Sequence, residues 1–164
     1  MGTPATAALA FLAPVAAICI WVAWSDLSRM KIPNLAVLAL LLTFALIGPF
    51  VLPLGEWGWR WVHFALFLLI GIGLNAAGIM GAGDAKFIAA AAPFVAASDA
   101  VAAVVILAVC AVSGYLLHRV AKRTALARAV PHWESWSSGN RFPFGFPLAV
   151  SLVLYLALVA FQMS

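Results

Sequence analysis

Acidic residues are what this chain has least of. Across 164 residues there are five, Asp26, Glu56, Asp84, Asp99 and Glu134, and charged residues of both signs make up 9%. A soluble domain carries nearer about a quarter. With 66% hydrophobic residues, the composition excludes an ordinary soluble domain and implies an all-α, polytopic membrane protein. The length allows about six spans of roughly 20 residues joined by short loops. Residues 1–164 are therefore expected to form a single integral membrane domain.

Other scarcities narrow the class further. There are two cysteines, Cys19 and Cys110, each inside an apolar run and neither at metal-ligand spacing from another Cys or His. They read as small apolar core residues. His63, His118 and His132 have no partners in sequence that would make a general base or a metal ligand, so neither metal nor cofactor is expected. No Lys or Arg precedes Arg29, so the basic start of a secretory signal is missing and residues 5–24 are expected to stay as a first span. Met1, Gly2 and Thr6 fit a myristoylation pattern too short to carry weight. No basic patch interleaved with aromatics suggests nucleic acid.

What is present is a series of apolar runs at about 5–24, 35–54, 61–80, 85–97, 100–117 and 144–162. The fourth is too short for the hydrocarbon thickness at about 1.5 Å per residue. Its helix is expected to start inside the bilayer, leaving residues 81–84 irregular at membrane depth, where such backbone must line a wet cavity or be buried. With the amino terminus outside, Arg29, Lys31, Lys86, Arg119, Lys122, Arg123, Arg128 and Arg141 fall on the cytoplasmic side and Arg60 alone outside. The positive-inside rule thus favours six spans with both termini outside. Trp57, Trp59 and Trp61 mark the outer interface, Trp21 and Trp24 the inner end of the first span. Glu56 and Asp99 are then expected as solvated charges in outer turns. The basic residues from Arg119 to Arg128 suit a surface-lying segment drawn to anionic lipid.

Gly71, Gly73 and Gly78 make a poor dinucleotide fingerprint, since no strand precedes them, and read as small residues that let helices approach closely. Asn75, mid-span, is expected to hydrogen-bond to another helix.

This topology brings two carboxylates to one face. Asp26 ends the first span and Asp84 the third. A carboxylate at bilayer depth costs roughly 2.5–3.5 kcal/mol on insertion scales, so two at one level call for a shared role. Like charges close together cannot both ionise, so such a pair holds one proton between them. The ionised member can take a proton from water as the water attacks a peptide carbonyl, while the protonated member donates to the carbonyl oxygen. Which aspartate is acid and which base is left to the pair. Gly81 and Gly83, lacking Cβ atoms, permit close approach of a substrate backbone. A helix N-cap is the plain alternative for Asp84, but capping does not account for Asp26.

Gly81-Ala82-Gly83-Asp84 resembles the signature of the GxGD intramembrane aspartyl proteases. Ser25-Asp26-Leu27-Ser28-Arg29-Met30-Lys31-Ile32-Pro33-Asn34 is similar to the first-aspartate segment of bacterial type IV prepilin peptidases. Gly81-Ala82-Gly83-Asp84-Ala85-Lys86 resembles their second segment, and Pro143-Phe144-Gly145-Phe146-Pro147 their third, all in the family's order. The resemblance spans about residues 5–160. It implies a multi-pass aspartic-type endopeptidase of the bacterial cytoplasmic (inner) membrane. Its substrates would be prepilins, losing their basic leader after a glycine at the cytoplasmic face. Asp26 and Asp84 would be catalytic, with Pro33, Asn34, Gly81, Gly83, Lys86, Pro143, Phe144, Gly145 and Pro147 binding substrate or shaping the site.

Larger members of that family carry a cysteine-rich cytoplasmic domain and methylate the new amino terminus. No such domain lies between the first spans here, so the chain resembles the short peptidases of Tad/Flp (Cpa) pilus systems. For Lys86 three readings stand. It pairs with an acid of the pilin near the cut, it stabilises an ionised aspartate, or it snorkels to the interface. Two rival functions, an ion- or proton-coupled transporter and a non-enzymatic pilus assembly factor, explain intramembrane acids less completely.

Overall fold

The computed structural model describes residues 2–139 and 141–161; the expected end of the last run, Gln162, lies outside them. The described chain is helical and contains no strand, with 82% helix. Its elements are α1 (Ala5–Arg29), α2 (Asn34–Val51), α3 (Leu54–Ala76), α4 (Ala82–Ala91), α5 (Ala100–Ala121), α6 (Ala125–Ala129), α7 (Glu134–Ser137) and α8 (Gly145–Phe161), with two short 3₁₀ turns between α4 and α5. Among the described residues, four helices are long and apolar enough to cross a membrane: α1, α2, α3 and the stretch Ala97–Ala121, which contains α5. The apolar helix α8 is shorter.

The environment follows from what each helix leaves uncovered. Only Arg60 and Gly71 are buried on α3, and only Cys110, Gly114 and His118 on α5. Phe50, Val101 and Ile20 stand 87%, 78% and 71% exposed. A soluble chain does not leave so much apolar surface bare. This is a membrane protein.

The interior is built around the first and last helices. α1 packs most extensively against α8, setting Ala7, Ala8, Phe11, Val15, Cys19 and Val22 against Leu148, Leu152, Tyr155, Leu156 and Val159. Phe11, Phe44 and Phe94 form an aromatic centre with ring centroids 5.0–5.8 Å apart. Both cysteines are free and buried. α4 lies in the angle between α3 and the core, and Gly71 makes this close contact possible. A Cβ at residue 71 would stand 2.9 Å from the Ala85 Cβ.

Several expectations change. α3 begins at Leu54, earlier than the apolar run at 61, because Pro53 starts a helix whose first turn includes Glu56. α4 begins at Ala82, so Gly83 and Asp84 are helical and the irregular backbone is residues 77–81. Asp84 is not an N-cap; Gly81 takes that position, and Asp84 sits in the first turn, where the helix dipole favours a negative charge. Asn75 does not reach another helix: its amide donates to the Met80 carbonyl at 2.9 Å and ties down the 77–81 turn.

Asp99 is not a solvated loop charge either. It is 5% exposed and accepts from Gly2 N–H at 2.7 Å, Thr3 N–H at 3.3 Å and the Tyr155 hydroxyl at 2.8 Å. Beside it, Arg60, 1% exposed, donates to Glu56, Thr3 Oγ1 and the carbonyls of Pro93 and Phe94. A buried charge persists only when so compensated. This network fastens the beginning of α1, α3, the 3₁₀ turns and α8 at one end of the molecule. The other end is left to a cleft.

Candidate active site

The end of α1, the turn into α2, the beginning of α4 and the beginning of α8 meet around a cleft of about 870 Å³. Asp26 and Asp84 both line it. Asp26 lies near the end of α1 and is buried, 5% exposed.

Each element is aimed by local chemistry. α1 ends in Met30, which takes the left-handed conformation with φ 53°, and its N–H returns to the Asp26 carbonyl at 2.9 Å. That reversal is costly for a residue with a Cβ. It is held by Ser25, whose hydroxyl donates to the Lys31 carbonyl at 2.8 Å, and by Pro33, whose fixed φ starts α2. The effect is to turn Ile32 inward. Ile32 then lies against the Cβ position of Gly83 at 3.4 Å and within 2.8 Å of where a Cβ on Gly145 would be. It is a wedge between both aspartate-bearing segments and α8.

The third motif explains itself at Asp26. The Phe146 N–H, in the first turn of α8, donates to Asp26 Oδ2 at 3.2 Å. The first N–H groups of a helix have no partner within it and suit an anion. The approach is so close that a Cβ at residue 145 would stand 2.9 Å from the Asp26 Cγ; only glycine fits. Pro147 falls in the same first turn, where a missing N–H costs nothing, and Pro143 is fully buried ahead of it. Asp84 is held differently. Among the described residues no hydrogen bond reaches its carboxylate, which lies back over Gly81, where a Cβ would come within 2.9 Å of Oδ2.

Of the residues singled out from sequence, Asp26, Asn34, Gly81, Gly83, Asp84, Lys86 and Phe144 line the cleft. Gly145 touches Asp26 from behind, while Pro33, Pro143 and Pro147 set backbone direction without lining it. Lys86 is exposed, and its ammonium donates to Asn34 Oδ1 at 3.2 Å, joining the first and second motifs. Sequence reasoning gave no role to Ser25, Met30, Ile32 or the Phe146 N–H. Ile32 was visible as an apolar residue set among Lys31, Pro33 and Asn34. Among the described residues no group of three or more His, Cys, Asp or Glu is placed to hold a metal.

Compared with known proteins, residues 13–117 match the model of the type IV leader peptidase family. The matched segment contains Asp26 and Asp84, the greater part of α1 and all of α4, and ends before α8. No curated protein and no solved structure matches the chain.

Proposed function

Because the chain belongs to the type IV leader peptidase family, we propose that it is an aspartic-type endopeptidase that removes the basic leader from prepilins of the Tad/Flp kind. The family supports a leader-peptidase-like protease; the aspartate pair and the substrate are our reading. One observation carries it: the two carboxylates, far apart in sequence, line a single cleft.

In this reading the pair shares one proton. Water attacks the scissile carbonyl as the ionised aspartate takes a proton from it. The protonated aspartate donates to the carbonyl oxygen, and the tetrahedral intermediate then collapses as the leaving amine is protonated. α8 holds Asp26 in place, and the less constrained Asp84 can swing toward the substrate. Cleavage follows a glycine, and a residue without Cβ suits a site already closed down by Ile32. Residues 1–164 act as one membrane domain, with neither metal nor cofactor. Co-expressing the chain with candidate pilins from the same genome and following their size tests the assignment. A shortened pilin supports it, and unchanged size for all of them opposes it.

The orientation belongs to the same proposal: six spans, both termini outside, the cleft facing the cytoplasm of a bacterial inner membrane. The cleft is bordered by Lys31, Lys86 and Arg141, in keeping with the positive-inside rule, whereas Arg60 is at the other end. Cysteine-accessibility labelling is expected to place residues 119–141 in the cytoplasm. Labelling from outside would overturn this topology.

For Lys86 we favour the pairing with a pilin acid. Its tether to Asn34 leaves further donors free at the cleft edge. Lys86→Glu is expected to lower cleavage about tenfold or more, and charge reversal on the pilin should restore part of it. Normal cleavage by Lys86→Gln would reduce Lys86 to an interfacial anchor. A transporter or assembly role is not favoured, since neither accounts for Gly145 against Asp26.

A further inference from the structure

The buried side-chain polar atoms without a partner, among the described residues, are three: His118 Nε2, Ser135 Oγ and Trp133 Nε1. All belong to one cluster beside the cleft. Trp133 stacks on Trp136 at 5.8 Å, Trp136 stacks on His118 at 4.9 Å, and Trp24 of α1 meets Trp133 edge-on. Elsewhere this chain pairs even its most deeply buried charges, so orphans concentrated at one place need a cause.

For His118 and Ser135 the cause lies in a small cavity. His118, 9% exposed, and Ser135, 1% exposed, both line a pocket of about 10 Å³, together with Tyr115, Arg119, Lys122 and Arg141. That volume holds one water-sized atom group. Three of its lining residues are cations, and no described acid lines it. Arg119 is braced over the Tyr115 ring at 5.1 Å. A hydroxyl donor, an imidazole nitrogen and three cations match a phosphate group: one oxygen enters between Ser135 and His118, and the others remain among the cations.

We propose that this pocket binds a phosphate-type oxyanion, such as the headgroup of an anionic phospholipid. The tryptophans around it are residues that favour the level of lipid headgroups. Arg141 and Phe142 line both this pocket and the cleft with the two aspartates, so an occupied site would steady one wall of that cleft. The binding itself does not depend on the peptidase reading and needs no substrate to be measured.

The full chain is reconstituted in nanodiscs of phosphatidylcholine, with or without phosphatidylglycerol, and followed by thermal unfolding and native mass spectrometry. Separately, inorganic phosphate is titrated into the phosphatidylcholine discs against chloride at equal ionic strength. One retained phosphatidylglycerol with a raised unfolding temperature, and no phosphate effect, identifies a lipid headgroup. A phosphate effect beyond that of chloride identifies free phosphate as a ligand. In either case Ser135→Ala and Arg119→Gln should each weaken binding about tenfold. If neither ligand exceeds its control, the cavity holds only water and the proposal falls. It falls equally if Ser135→Ala, which removes one oxygen and leaves the packing, binds as well as the wild type.

Discussion

Asp26→Asn and Asp84→Asn are each expected to abolish prepilin cleavage, by at least about 1,000-fold, while the protein still inserts and accumulates. The exchange keeps shape and volume and removes the ability to hold or release a proton. Each half of the proposed chemistry needs that ability: one carboxylate takes the proton of water, the other gives one to the carbonyl oxygen, and their roles reverse as the amine leaves. Groups that act as one unit lose function together, so the double variant should be no worse than either single one. Near-normal cleavage by either single variant, read as pilin size in co-expressing cells, would remove the dyad. Asp26→Asn is the more informative of the two, because Asn can still accept from the Phe146 N–H, and loss of activity then reports on the proton and not on the fold.

The second large effect is expected from a single methyl group. In Gly145→Ala the new Cβ would stand 2.8 Å from Ile32 Cδ1 and 2.9 Å from Asp26 Cγ, closer than carbon atoms approach. Either α8 withdraws, breaking the Phe146 bond to Asp26, or the Met30–Ile32 turn shifts and carries the wedge away from Gly83. Overpacking of this kind costs about 1–3 kcal/mol, which an otherwise well-packed bundle survives. A displacement of about 1 Å at the reacting groups is worth roughly 100-fold in rate, and that is the expected loss of cleavage. Gly73→Ala is the matched control. Its Cβ would meet nothing within 4 Å, it adds helix propensity to α3, and cleavage should be unchanged. Equal activity in both variants would show that the approach of α8 to Asp26 does not matter.

Much of the site could be read because its signal is chemical. In a chain with five acids, Asp26 and Asp84 stand out wherever they fall, and the glycines near them mark close approach without naming the neighbour. The neighbour could not be read. Gly145 lies far from Asp26 in the chain, and the packing of α1 on α8 leaves no trace in their sequences, since α8 and α1 as far as Trp24 are apolar all round. Hydropathy fails there for a physical reason: in a membrane, faces toward lipid and faces toward protein are equally apolar. The same limit misplaced Asp99. Next to a turn it looks solvated, and only the fold brings Gly2, Thr3 and Tyr155 to it. The short fourth run was legible as a helix that starts inside the bilayer, but the residue at which it begins was not. The residues of a GxGD segment suit a loop, whereas Ala85 packs on Gly71 and Gly83 on Ile32, and the helix starts at Ala82.

Two carboxylates are expected to cut a peptide here without help from a metal or another protein. The purified chain in nanodiscs, treated with a chelator, can be given a Tad/Flp-type pilin precursor and the products read by intact mass. The expected result is one cut directly after the leader's glycine, at a rate the chelator does not change. An intact precursor, cuts at scattered positions, or activity that returns only with added metal would contradict it.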